Sequence, residues 1–334
     1  MDQTLVKDQT KGENTIMAEI EFYETDGHGR LDMLGTCHSG ISANISIIVY
    51  GWWGGPGFLL YDRTAGQTHI FRVAPDGSLT ELRKWSNWQH KWDIIVPGQW
   101  DNSTGTDLLF YDREAGEGEF YGLNDYGGME WGIRTRGWQR TWDAIVPGFW
   151  SSVFPYTDLL FYDRSAGHAD VHSTLRKGRL RFLKRFDIGT NWDLIIPGIF
   201  AGEPFGLYTD MLLYDRSAGV GEFHASSDLG LIQIDDFVLH KRYDNWRHTW
   251  DIIVPGYFAA GSDDPYHGEM ASCTDLLFYD RSAGEGEFYN IQINEPEFRF
   301  LHRSRRYRRS WSLIVPGEWN GEEFTNLLFC DSSA

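Results

Sequence analysis

The sequence predicts an all-β protein: a six-bladed β-propeller of four-stranded blades, closed by a clasp of two strands from each end of the chain. Three observations predict it. A phrase of the form W-D-I-I-V-P-G recurs along the chain, a second phrase, T-D-L-L-F-Y-D-R-S-A-G, follows each copy, and the chain stops halfway through a unit. A repeat of about fifty residues with strand-like content is the signature of propeller blades.

The first phrase spans Trp92 to Gly98, Trp142 to Gly148, Trp192 to Gly198, Trp250 to Gly256 and Trp311 to Gly317, with a worn copy from Ile45 to Gly51. The second ends in Tyr61-Asp62-Arg63, Tyr111-Asp112-Arg113, Tyr162-Asp163-Arg164, Tyr214-Asp215-Arg216 and Tyr279-Asp280-Arg281, and in the degraded Cys330-Asp331-Ser332. Each unit supplies strands A to D. Strand A (I-I-V-P-G) and strand B (L-L-F-Y-D) are continuous apolar runs, which suits strands buried on both faces between neighbouring blades. Pro97 and its counterparts fit the end of an edge strand beside the central channel. Strand C, as in Gly118 to Tyr121, mixes polar and aromatic residues, and strand D, as in Leu180 to Phe186, varies most, as outer strands should.

The ends define the closure. The chain finishes on Leu327-Leu328-Phe329, a strand B, and begins after a short tail with Ala18 to Tyr23, a strand C. The last blade is therefore expected to combine A and B from the C-terminus with C and D from the N-terminus, leaving no free sheet edge. Residues 1–17 are expected to form a flexible tail, and 18–334 a single propeller domain.

Composition agrees. Aromatic residues make up 16% of the 334, and wide rings fill the wedges that open between blades. A net charge of −18 argues against nucleic acid, whose phosphates need a basic footprint. No run of eighteen apolar residues spans a membrane, and residues 1–17 lack the apolar core of a signal peptide. The expectation is a cytoplasmic protein, with non-classical secretion left open. Cys37, Cys273 and Cys330 have neither disulfide-framework nor zinc spacing.

The phrase pair V-P-G and T-D-L-L-F-Y-D resembles the FG-GAP/VCBS repeat of integrin-type, bacterial and fungal propellers, over residues 18–334. In that family the A–B loop often holds calcium through a D-x-D-x-D-G-x-x-D pattern. Here those slots hold Gln99, Asp101, Ser103 and Asp107 after Gly98, and Glu318, Asn320, Glu322 and Asn326 after Gly317, with Glu323 where the family has glycine. Calcium wants six or more oxygens, several from carboxylates, so no metal and no cofactor is expected, calcium being the one candidate the resemblance leaves. Asp107, Asp158, Asp210 and Asp275 are expected to tie their loops through backbone hydrogen bonds.

Candidate binding residues repeat on one face. The Asp-Arg turns bring Arg113, Arg164, Arg216 and Arg281, and the D–A loops bring Trp88 with His90, Trp138 with Arg140, and Trp246 with His248. A flat ring beside guanidinium and imidazole groups suits a sugar; the alternative is that the tryptophans wedge between blades and the arginines pair with acids of the next blade. Repeated units yield repeated sites, so the first reading is a non-catalytic, carbohydrate-binding (lectin-like) propeller whose partner is a glycan or other small molecule.

Two further readings stand beside it. One is an enzyme of lyase, cyclase or hydrolase type with a single site at the mouth of the central channel. It is favoured by the worn first blade (Ile45, Ser46, Tyr50, Trp52, Trp53) and by the long loop from Tyr257 to Thr274, which carries Asp263, Asp264, His267, Glu269 and Cys273. The other is a protein-interaction scaffold. Arg299, Arg303, Arg305, Arg306, Arg308 and Arg309 form a basic stripe on an acidic protein, which either invites an anionic ligand or balances nearby acids. No Ser-His-Asp, G-x-S-x-G, H-E-x-x-H or P-loop pattern is present, and the oligomeric state is left open.

Overall fold

The computed structural model describes residues 18–37, 44–86, 88, 92–151, 155–200, 208–227, 235–259, 274–291 and 297–332. These form six antiparallel sheets of four strands each. Among the described residues no helix is long and apolar enough to cross a membrane. Strands A run Ile45–Trp52, Ile94–Gly98, Ala144–Gly148, Leu194–Gly198, Ile252–Gly256 and Leu313–Gly317 in blades 1 to 6. Each lies at one edge of its sheet and adjoins the A strands of the two neighbouring blades, so the six surround the central axis.

Blade 6 is built from both ends of the chain. Glu19–Thr25 pairs with Asn326–Asp331, setting Ile20 opposite Cys330 and Phe22 opposite Leu328, and Leu31–Cys37 lies outside it. A sheet assembled this way hides the strand edges that two half-blades would expose.

The core is six clusters, one per junction between blades. Strand B of blade 2, Asp107–Asp112, is buried at every position. Leu108 and Phe110 enter the cluster shared with blade 1, while Leu109 and Tyr111 enter the one shared with blade 3. That two-sided burial is why these strands read as unbroken apolar runs. Every C–D pair carries a register shift, which increases the local twist of the outer strands.

The antiparallel order gives the ring two unlike faces. D–A loops and B–C turns lie on one, the turn face; A–B loops and C–D turns lie on the other, the loop face.

Candidate active site

On the turn face, the rings expected to bind sugar pack between blades. Trp138 lies on Gly118, where a Cβ would come within 2.3 Å of it. It stacks on Tyr111 at 5.9 Å and meets Phe161 of blade 3 edge-on at 5.2 Å. Trp246 repeats this arrangement on Gly221 and on Phe278 at 5.1 Å, and Trp88 packs on Phe110 at 4.7 Å. All three are half-buried, while Arg140 and His248 are exposed nearby. His90 lies outside the described residues, as do Asp263, Asp264, His267, Glu269 and Cys273 of the long loop.

The turn arginines join successive blades. Asp93 accepts the backbone N–H of Arg113 at 2.8 Å, and the Arg63 guanidinium of blade 1 reaches the same carboxylate at 2.6 Å. Arg113 donates to the Trp142 carbonyl at 2.8 Å and Arg164 pairs with Asp193 at 3.3 Å. Arg216 donates to the Trp250 carbonyl at 3.0 Å and Arg281 to that of Trp311 at 3.1 Å.

The loop face is organised differently. Each A strand closes with a glycine, followed in blade 1 by one further strand residue, and that glycine is covered by the ring two residues on; a Cβ on Gly98 would lie 2.5 Å from Trp100. The residue between glycine and ring is Trp52, Gln99, Phe149, Ile199, Tyr257 or Glu318 in blades 1 to 6. Its backbone is fixed in the same way almost everywhere. The N–H groups of Trp52, Gln99, Phe149, Ile199 and Tyr257 donate to the Oγ1 of Thr106, Thr157, Thr209, Thr274 and Thr325 of the following blade at 2.7–3.0 Å. Those threonines return their own N–H groups to the same residues' carbonyls at 2.8–3.0 Å.

One frame thus presents six unlike side chains around the channel mouth. Trp52, Phe149 and Ile199 are 45%, 38% and 40% exposed, and Glu318 is exposed. Blade order puts Phe149 and Ile199 on one side, where with Pro147 and Pro197 they line a recess of 280 Å³. Tyr257, Glu318, Trp52 and Gln99 form the opposite arc.

The frame changes between blades 6 and 1. Pro56 occupies the threonine position and has no N–H to return. Tyr50, where the other blades have proline, brings its hydroxyl close to the backbone and carboxylate of Glu318. Its ring meets Trp319 edge-on at 5.1 Å. Burial first, and then the Glu318 carboxylate, push the Tyr50 phenol up to about 12, so it is a neutral hydroxyl at neutral pH. Trp53, Trp100 and Trp150 donate their Nε1 to the clamping threonine carbonyls at 2.8–3.0 Å. The buried Trp319 Nε1 and Asn326 Nδ2 have no such partner. The turn-face chain of Asp and Arg breaks at the same junction, where Ser46, Ser312 and Ser332 stand in those columns.

The A–B loops close on their own polar groups. Asp107 accepts the Trp100 N–H at 2.6 Å, and Asp101 accepts the Ser103 N–H at 2.6 Å. Burial pushes Asp107 up to about 7 and Asp275 up to about 6. In blade 6 the amide oxygen of Asn326 takes the corresponding place, accepting the Trp319 N–H at 2.7 Å. Among the described residues no three His, Cys, Asp or Glu side chains are grouped to hold a metal ion.

Glu318 and Gln99 drew notice in the sequence only as calcium slots, and the rim itself was missed. Aligning the units on Gly-x-Trp/Phe reveals it as a column of constant flanks and variable centre.

No protein-family model matches the chain, and no curated protein matches it. The FG-GAP/VCBS resemblance is thus unsupported by a family match, and what stands is the six-bladed propeller. Among solved structures the chain is similar to a protein from Lactobacillus plantarum, with 10% identity over 89% of this chain and 81% of that one, at a TM-score of 0.48. It is also similar to a 6-phosphogluconolactonase candidate from Bacteroides uniformis, with 12% identity, 84% and 76% coverage and a TM-score of 0.47. A third is the periplasmic gluconolactonase of Pseudomonas aeruginosa, with 14% identity, 86% and 78% coverage and a TM-score of 0.47.

The expectation of a non-catalytic lectin-like module is corrected here. The two neighbours named for an activity are named as lactonases, which are enzymes. Likeness at this level carries no activity across to this chain. The tryptophans expected to offer stacking faces are half-buried and pack against neighbouring rings between blades.

Proposed function

We propose that this propeller is an enzyme of hydrolase type with one site per ring, at the loop-face mouth of the channel. The observation that carries this is the rim: one clamped frame presenting six different side chains, with the exposed carboxylate of Glu318 beside the neutral hydroxyl of Tyr50. Repeated sites need repeated side chains, and this rim repeats none.

The chemistry such a rim supports is attack of water on the carbonyl of an ester or lactone. Glu318 takes a proton from the water as its oxygen adds to the carbonyl carbon. When the C–O bond breaks, the protonated Glu318 returns that proton to the departing alkoxide, giving an acid and an alcohol. Tyr50 acts as a positioning residue by fixing the Glu318 backbone. The scheme uses no metal, so a chelator should leave turnover and melting unchanged.

The number of sites tests the reading. Calorimetry with D-gluconate, the product of gluconolactone opening, should count one bound molecule per chain. Five or six equal sites would reject it.

A further inference from the structure

The shortest A–B connection on the loop face lies beside Glu318. Strands A and B are joined by residues 99–106, 149–157, 199–209, 257–274 and 318–325 in blades 2 to 6, but by residues 53–55 alone in blade 1. That turn is tied down. Gly54 and Gly55 take φ values of +66° and +154°, and Trp53 donates its N–H to the Gly55 carbonyl at 2.9 Å. Arg72 donates to the Trp53 carbonyl at 2.5 Å and to that of Asp125 in blade 2 at 3.0 Å.

Trp52 stands where this turn begins, and its strand aims it towards Glu318. Strand A of blade 1 continues to Trp52, which still pairs with Pro56. Side chains two apart on a strand share a face. Ile48 and Tyr50 belong to the cluster between blades 6 and 1, where Tyr50 meets Trp319. Trp52 is the next residue on that face, so its indole leans to blade 6, which carries Glu318. Thr106 holds the Trp52 backbone in both directions, at 2.7 and 2.8 Å. Single exposed apolar residues are ordinary on a protein surface. This one is an indole, 45% exposed on a clamped backbone, next to the one carboxylate among the six rim residues.

We propose that Trp52 sets the specificity of the rim for a cyclic substrate: the C–H face of a lactone ring lies on the indole, with its carbonyl turned to Glu318. This rests on the hydrolase reading of the rim and adds the shape of the substrate to it. A ring presents one rigid face for stacking, whereas an open-chain ester must freeze several torsions to make the same contact. Trp52 transfers no proton; it acts through binding.

The probes are glucono-δ-lactam, a ring that the enzyme does not open, and D-gluconamide, its open-chain counterpart, both read by calorimetry. The parent should bind the lactam about tenfold more tightly than the amide, a preference of the size one stacked ring supplies. Trp52→Ala should abolish that preference at an unchanged melting temperature, because the ring is exposed, and Trp52→Phe should keep most of it. With glucono-δ-lactone, Trp52→Ala should act through KM more than through kcat, while methyl D-gluconate should be turned over alike by parent and variant. Lactam preference undiminished in Trp52→Ala, or lost equally in Trp52→Phe, would overturn the platform while leaving the hydrolase reading in place. Lactam binding that depends on Trp52, without lactone turnover, would uphold the platform and reject the hydrolase. A parent that neither binds the lactam nor opens the lactone would overturn both.

Discussion

The hydroxyl of Tyr50 lies beside the backbone of Glu318, in the place where a threonine hydroxyl holds the equivalent residue at the other five junctions. A phenol reaches across from strand A of blade 1 into the place that the threonine leaves. Tyr50→Phe removes that hydroxyl from beside the Glu318 backbone. The variant should lose about 1 kcal/mol of stability and part of its turnover, because the segment carrying Glu318 is loosened. Unchanged melting and turnover would show the contact to be incidental.

Closure through blade 6 predicts a severe truncation effect. Removing residues 18–36 strips strands C and D from the sheet, exposing the edge of Asn326–Asp331 and the pocket filled by Ile20 and Phe22. The product should be insoluble or melt far below the parent. A soluble, equally stable truncation would refute the clasp.

Trp138→Ala separates packing from binding. The ring fills the wedge between blades 2 and 3, so its loss should cost about 3 kcal/mol through the cavity left behind. Turnover per folded molecule should stay the same, because the rim is on the other face. A stable variant with reduced activity would place the site on the turn face.

Asp107 predicts a pH effect of definite sign. Its folded value is about 7 against an ordinary 3.8. Between those values the native state holds a proton that the unfolded chain has released. Its stabilising contribution is therefore complete below about pH 4 and lost as pH rises through about 7. Asn326 shows that an amide fits this column, so Asp107→Asn should lose less stability than the parent between pH 4 and 8. Parallel melting curves across that range would contradict the assignment.

Much of the fold was legible because each blade repeats the same local solution. The all-apolar run of strand B, the glycine under Trp100 and the split last blade are all forced by burial or close approach, and they leave marks in every unit. The rim was not legible in that way. Its residues are chosen against the repeat, and their nearness comes only from ring closure, which sets Glu318 beside Tyr50 across most of the chain. The tryptophans of the D–A loops misled for the opposite reason: a ring next to arginine looks the same in sequence whether its face meets solvent or another ring.

The most direct test is the hydrolysis of glucono-δ-lactone, followed by proton release, with the parent protein and Glu318→Gln. Glu318 is exposed, so the substitution should leave melting unchanged. Loss of a general base typically costs a factor of about 100 or more. The account predicts turnover above the uncatalysed rate in the parent and at least that loss in the variant. No turnover by the parent, or equal turnover by the two, would contradict it.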